Sequence, residues 1–230
     1  MRSPRRRKIP VARFPLPNPS GGWYNYRLLM CRLYLIPTGP TVWQCQDRLE
    51  SVTGSPLADH ALAALERLCG PLAGERIDAV YSGDAAGERQ SADAVARELG
   101  ARQRIAPDLR EIHYGLWQGL TRAEIRRRQP KLYRDWMDQP GSSCPPAGET
   151  FDEADERLGA AVEGILRRHK HGAAALVLRP VMIALLRCRL DRLPLTDLWE
   201  LSQQPDAVCI YDVNGQTKRL QTIGEPHGGA

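Results

Sequence analysis

The chain has 230 residues, of which 42% are hydrophobic and 26% are charged, a composition typical of a globular domain. Its formal net charge of +5 comes from residues 1–29, which hold seven basic residues and no acidic one. The remaining residues hold 25 basic and 27 acidic side chains, a net charge of −2, which argues against nucleic-acid binding by the folded part. No apolar run approaches the roughly 20 residues needed to cross a bilayer, so no membrane segment is expected.

The six cysteines are scattered along the chain without a CxxC pair. This pattern favours reduced thiols in a cytoplasmic protein over a disulfide framework. The sequence also lacks a P-loop, a dinucleotide fingerprint and a metal-ligand cluster, so we expect neither a cofactor nor a metal.

The five prolines of residues 1–29 exclude a regular helix or a central strand, and the segment also contains a run of basic residues. We expect a disordered basic tail, or translation that starts at Met30 directly before the first strand. The folded domain is expected to span residues 30–224, and residues 225–230 form a second short disordered tail.

Three short apolar runs, at residues 31–36, 79–82 and 173–178, predict buried strands. Apolar residues at helical spacing predict a helix after each of the first two strands, ending at Gly70 and Gly100. The sequence Thr150-Phe-Asp-Glu153 has the form of a capping box and predicts the start of another helix.

The third strand is followed by an apolar helix over residues 181–190, and then by Asn214-Gly215, a hairpin signal between strands at 208–212 and 217–223. This alternation predicts an α/β fold: a three-layer α/β/α sandwich with a mostly parallel sheet and an antiparallel edge. In such sheets the functional site lies at the carboxyl ends of the strands, so the segments after Ile36, Ser82 and Leu178 should converge.

Several segments carry recognisable patterns. Residues 109–121 match L-x-E-I-x-x-G-x-W-E-G-L-T, and residues 146–150 match P-x-G-E-S. Residues 47–51, Asp-Arg-Leu-Glu-Ser, align with G-R-L-Q-G. Residues 81–92, Tyr-Ser-Gly-Asp-Ala-Ala-Gly-Glu-Arg-Gln-Ser-Ala, align with Y-S-S-P-x-x-R-A-x-Q-T-A. Through these patterns, residues 31–222 resemble the histidine phosphatase superfamily. The resemblance implies a phosphoglycerate mutase-like fold.

The catalytic positions of the family are not matched. Where the family has L-x-R-H-G-E-T, residues 35–41 read Leu-Ile-Pro-Thr-Gly-Pro-Thr, so the resemblance places Thr38 at the nucleophilic histidine. A threonine hydroxyl is a poor nucleophile without an adjacent base. Of the other groups that handle the phosphoryl oxygens, the asparagine corresponds to Gln44, the second arginine to Gly87 and the second histidine to Arg179. Only the acid persists, as Glu111.

We therefore interpret the chain as a superfamily member that has lost phosphohistidine catalysis, a pseudophosphatase. In one version Arg179, with Gln44 and Arg48, still binds a small anionic or phosphorylated ligand, since arginine suits carboxylate and phosphate. In another version Arg179 pairs with Glu111 in a vestigial cleft, and the chain is a structural or interaction protein, with a homodimer as one arrangement. The remaining alternative is a weak or atypical phosphomonoester phosphatase that uses Glu111 with a non-histidine nucleophile, Thr38 or His113.

Overall fold

The computed structural model describes residues 31–51, 54–203, 207–213 and 220–223. Its centre is a six-stranded sheet in the order β3-β2-β4-β1-β5-β6. The strands are β1 (Cys31–Pro37), β2 (Ala79–Ser82), β3 (Arg102–Ile105), β4 (Ala173–Leu178), β5 (Val208–Val213) and β6 (Leu220–Ile223). The pairs β1–β4, β2–β4 and β2–β3 are parallel, whereas β1–β5 and β5–β6 are antiparallel. The predicted mostly parallel sheet with an antiparallel edge is confirmed.

Helices cover both faces of this sheet. They are α1 (Val42–Cys45), α2 (Ala61–Cys69), α3 (Ala86–Glu98), α4 (Arg122–Arg128), α5 (Pro130–Asp138), α6 (Phe151–Arg168), α7 (Pro180–Asp191) and α8 (Leu198–Ser202). The predicted capping box at Thr150 is present, since this hydroxyl accepts from the Glu153 N–H and the Glu153 carboxylate accepts from the Thr150 N–H. Among the described residues, no helix is long and apolar enough to pass through a bilayer.

Alternate residues of the central strands enter two separate cores. Leu33 and Leu35 of β1 join the core that contains the apolar sides of α6 and α7. Tyr34 and Ile36 join the core that contains apolar residues of α2 and α3. Because successive strand residues point to opposite faces, one apolar run fills both layers, and the predicted three-layer sandwich follows.

Strand β3 is missing from the sequence-based prediction. It lies at the edge of the sheet, and Arg102 and Arg104 are exposed on it, so it has no apolar run to reveal it. Charged residues on an edge strand are expected, because they discourage pairing with another chain. The predicted turn at 214–215 and both predicted tails lie outside the described residues.

All six cysteines lie within the described residues and are free thiols.

Candidate functional site

The three strand ends converge, as predicted. Ile36 of β1 and Ser82 of β2 both lie opposite Val177 of β4. The Thr38 N–H donates to the Leu178 carbonyl at 2.9 Å, which places Thr38 beside the residue that precedes Arg179. The segment after β1 and the start of α7 are therefore neighbours at the carboxyl edge of the sheet.

Arg179 lies at this edge as a buried cation, and only 1% of its side chain is exposed. Its Nη1 lies 3.2 Å from Glu50 Oε2, and its Nε lies 3.8 Å from Glu88 Oε1. Both carboxylates are as deeply buried as the guanidinium. Nε and Nη2 have no hydrogen-bond partner among the described residues, so the contact with Glu88 is an ion pair without a hydrogen bond. Arg179 thus pairs with Glu50 and Glu88. The vestigial-cleft hypothesis had instead paired it with Glu111.

Glu50 connects Arg179 to the segment after β1. Its carboxylate accepts a short hydrogen bond from the Thr41 hydroxyl and another from the Ser55 N–H. Thr41 is also the N-cap of α1, and its N–H donates to Gln44 Oε1 at 3.0 Å. Glu50 therefore links Thr41, which precedes α1, and Ser55, which follows it, to the buried guanidinium of Arg179.

Glu111 lies in the same buried region. Its N–H donates to Glu88 Oε1 at 3.3 Å, and its own Oε1 accepts from the Ile112 N–H at 2.9 Å. Burial raises the pKa of Glu111 to about 8, against the lowering effects of the Ile112 N–H and Arg179. Burial likewise raises the pKa of Glu88, against the lowering effect of Arg179. Glu111 is consequently protonated at neutral pH and adds no full negative charge to the cluster.

Gly87, at the position of the family's second arginine, has no room for a side chain. A Cβ placed there would lie 2.5 Å from Thr41 Cγ2 and 3.1 Å from the Ser55 carbonyl oxygen. A Cβ at Gly83 would overlap Glu88 Oε2 and lie 2.9 Å from Arg110 Cα. The packing around these two glycines therefore leaves no room for a side chain at position 83 or at position 87.

Thr38, at the nucleophile position, is 8% exposed, and its hydroxyl has no hydrogen-bond partner in the described part of the chain. The structure therefore gives this hydroxyl no base that could take its proton. His113, the other proposed nucleophile, is an exposed loop residue whose Nδ1 accepts from the Gly115 N–H at 3.2 Å. That hydrogen bond engages Nδ1 of the His113 ring within the loop itself.

The two other candidate binding residues make their contacts elsewhere. Gln44 uses its side-chain carbonyl to cap α1 at Thr41. Arg48 donates from Nη1 to the Gly119 carbonyl at 2.7 Å and lies 3.7 Å from Glu124. The structure brings Thr38, Arg179 and Glu111 to the carboxyl edge of the sheet, but it does not add Gln44 or Arg48 to the contacts of Arg179.

Sequence reasoning missed Glu50 and Glu88, the two partners of Arg179. The signal was present, because each replaces an uncharged residue of the family patterns: the glutamine of G-R-L-Q-G and the alanine that follows the arginine of Y-S-S-P-x-x-R-A. Two new carboxylates beside lost cations indicate a change in the charge of the site. Within the described ranges, no three His, Cys, Asp or Glu side chains form a group that could hold a metal.

The fold and the strand-end geometry define an α/β protein of the phosphoglycerate mutase-like type. The family model described as histidine phosphatase superfamily (branch 1) matches residues 33–226, and the chain belongs to this superfamily. Of the site residues that the superfamily pattern leads one to expect, the acid persists as Glu111, and the nucleophile and the groups that bind the phosphoryl oxygens are replaced.

Individual relatives share about a third of the aligned residues with this chain. A Mycobacterium tuberculosis protein named bifunctional protein Rv2228c is 33% identical over 175 residues, which are 75% of this chain and 48% of that protein. The metal-independent phosphoserine phosphatase of Arabidopsis thaliana is 32% identical over 144 residues, 60% of this chain and 59% of that protein. The chain thus spans about half the length of these relatives, or slightly more.

Solved structures show the same fold. Bacillus stearothermophilus YhfR superposes with a TM-score of 0.77 at 27% identity, covering 85% of this chain and 98% of that one. A putative alpha-ribazole-5'-P phosphatase from Escherichia coli superposes with a TM-score of 0.72 at 20% identity, covering 87% and 99%. At the lower identity the likeness concerns the fold alone.

Gly87→Ala tests whether this region is filled. The added methyl group would meet Thr41 Cγ2 and the Ser55 carbonyl, so we expect the free energy of unfolding to fall by about 1–3 kcal/mol. Gly164→Ala in α6 is the matched control, because no atom lies within 4 Å of the added group, and it should stabilise by about 0.5–1 kcal/mol. Urea denaturation measures both. Stabilisation by both substitutions would show that the region is open.

Glu111→Gln tests the buried proton. The folded protein holds this proton up to about pH 8, whereas the unfolded chain releases it near the ordinary pKa of 4.5. The wild type therefore loses stability as the pH rises through this range, and the variant, which has no proton to lose, does not. Between pH 5 and pH 8 the free energy of unfolding of the variant, relative to that of the wild type, should rise by on the order of a few kcal/mol.

Urea denaturation at the two pH values measures this difference, with the exposed Glu66→Gln as the control. An identical stability difference between Glu111→Gln and the wild type at both pH values would contradict the assignment.

Proposed function

We propose that this chain is a non-catalytic member of the histidine phosphatase superfamily, in which the phosphoryl site has become a buried charge cluster. The observation that carries the proposal is the ion pairing of Arg179 with Glu50 and Glu88 at the strand ends. A cation that would otherwise be available to a phosphate is engaged by two carboxylates of the same chain.

The chemistry of phosphohistidine formation also lacks its parts. It needs a nucleophile activated by a base, and the Thr38 hydroxyl lies buried without a hydrogen-bond partner in the described residues. It needs preorganised donors for the phosphoryl oxygens, and Pro37 and Gly87 carry none on their side chains. The buried acid Glu111 is protonated at neutral pH and could donate a proton, but it has no activated nucleophile to work with.

The charge of the cluster favours a vestigial cleft over a retained anion site. One guanidinium faces Glu50, Glu88 and Glu111, and Glu50 and Glu88 already form its ion pairs. Nη2 of Arg179 has no hydrogen-bond partner among the described residues, but a phosphate bound there would be buried beside carboxylates that repel it, which is unfavourable. The cluster therefore supports a structural role, and the activity of the Arabidopsis relative, named for phosphoserine, is not proposed for this chain.

A phosphatase assay tests the loss of catalysis. The full chain is incubated with an aryl phosphate and with phosphoserine over pH 4–9, beside a superfamily member that has the intact Arg-His-Gly motif. We expect no turnover above the buffer blank for this chain, because no activated nucleophile is present. Turnover that disappears in Glu111→Ala would establish the alternative, an atypical phosphatase.

Thermal unfolding tests the anion site. Phosphate and sulfate should leave the midpoint temperature of the wild type unchanged, because a ligand stabilises only a state that binds it. Arg179→Ala should lower the free energy of unfolding by about 3–5 kcal/mol, because it leaves buried carboxylates without their cation. Arg97→Ala, which breaks an exposed pair with Asp93, is the control and should cost at most about 1 kcal/mol.

Stabilisation of the wild type by phosphate that is lost in Arg179→Ala would instead support a retained anion site.

A further inference from the structure

A pocket of about 390 Å³ opens beside the segment that follows Leu109. Its lining comes from this segment, from the retained segment before α6 and from the first turn of α6: Arg110, His113, Ala147, Gly148, Glu149 and Glu153. Glu111, the chain neighbour of Arg110, is buried instead, and its N–H donates to Glu88. The segment 110–113 therefore separates this pocket from the charge cluster around Arg179, and the pocket is a second candidate site.

Arg110 supplies the positive charge of the pocket. Its side chain is 31% exposed, and its guanidinium lies 3.5 Å from Asp108 Oδ1 and 3.9 Å from Glu149 Oε1. Neither contact is accompanied by a hydrogen bond, and the guanidinium makes none with any other described residue. The two acids thus hold the guanidinium at the pocket without using its N–H groups, which remain available to a carboxylate.

His113 adds an uncharged donor to the pocket. Because its Nδ1 accepts from the Gly115 N–H at 3.2 Å, the neutral ring carries its proton on Nε2. The main chain of His113 is fixed by two hydrogen bonds with Glu149. Its carbonyl accepts from the Glu149 N–H at 2.8 Å, and its N–H donates to Glu149 Oε2 at 3.1 Å. A ligand would therefore not have to order this part of the backbone.

Two carboxylates supply negative charge to the same pocket. Glu153 accepts from the Thr150 N–H and hydroxyl through Oε2, and its Oε1 makes no hydrogen bond with a described residue. Glu149 accepts from two nitrogens of Arg157 and from the His113 N–H, which are three of the roughly four hydrogen bonds that a carboxylate accepts. The lining would therefore repel a simple anion through its carboxylates and a simple cation through its guanidinium.

We propose that this pocket binds a free α-amino acid. The carboxylate of the ligand faces Arg110 and His113 Nε2, and its ammonium group faces Glu149 and Glu153. Arg110 Nη2 and Glu149 Oε1 lie only 3.9 Å apart, which suits a ligand whose opposite charges are attached to one carbon atom. The volume of the pocket is at the lower end of the range for small-molecule sites, as a ligand of this size requires. The inference does not depend on the loss of catalysis at the strand ends.

Saturation-transfer NMR on the full chain tests the site, with each of the common L-α-amino acids as probe at millimolar concentration. The amino acid that binds best is then compared with its deaminated acid and its decarboxylated amine. We expect each analogue to bind at least roughly tenfold more weakly, because it leaves one sign of charge in the pocket unmatched. Binding of no amino acid would overturn the proposal. Equal binding of the deaminated acid would overturn it in favour of a simple anion site.

Arg110→Gln and Arg67→Gln form a matched pair of variants. Each removes one cation, and Arg67 is exposed on α2, which packs against the other face of the sheet from α6. Arg110→Gln should weaken amino-acid binding roughly tenfold, and Arg67→Gln should leave it unchanged. Equal weakening by both variants would overturn the proposal. Urea denaturation checks that both variants remain folded.

Glu153→Gln tests the ammonium side of the pocket. Glutamine also suits this position of a capping box, so α6 should keep its start. The variant should bind the amino acid more weakly, whereas its affinity for the deaminated acid should not fall, because only the ammonium group faces Glu153. A variant that binds the amino acid as tightly as the wild type would contradict the assigned orientation and overturn the proposal.

Discussion

The buried guanidinium of Arg179 is the constraint on which the strand-end region depends. A charge removed from water must be paired, and its two partners come from different parts of the chain: Glu50 from the segment after α1, and Glu88 from the first turn of α3. One cation therefore joins the end of β4 to both. The same pairing engages, through Nη1, a cation that could have met a phosphoryl group there.

Protonation makes this arrangement tolerable. Three ionised carboxylates around one guanidinium would leave excess negative charge in a medium that solvates it poorly. Burial raises the pKa values of Glu111 and Glu88, so a bound proton neutralises a carboxyl group that has no cation of its own. Protonated Glu111 still accepts the hydrogen bond from the Ile112 N–H. The site thus differs from an anion-binding pocket in that carboxylates already surround its guanidinium. Glu50 accepts from Thr41, Ser55 and Arg179 Nη1, whereas Arg179 Nε, Arg179 Nη2 and the Thr38 hydroxyl have no hydrogen-bond partner among the described residues.

The fold was predictable because β1 and β4 are continuous apolar runs, and the convergence of Thr38, Glu111 and Arg179 followed from parallel strand order and motif matching. Strand β3 was not predictable, since an exposed edge strand needs no apolar pattern. The new carboxylates Glu50 and Glu88 could be noticed against the family patterns, but their pairing with Arg179 could not be predicted. A contact between distant segments depends on side-chain direction, which sequence spacing does not give. Arg48 illustrates this: it follows a family pattern but turns to Gly119 and Glu124.

The retained motifs can be explained by the fold without any catalysis. Gly115 has a φ of +50° and lies against Pro146, so the two matched segments pack together where a side chain would collide. Glu149 accepts from the His113 N–H and receives two hydrogen bonds of 2.8 Å from Arg157, which clamps one segment to α6. These contacts of Gly115 and Glu149 hold the retained segments in place whether or not catalysis occurs at the strand ends. A superfamily match that rests on them therefore establishes the scaffold, and the activity has to be argued from the residues that face the reacting group.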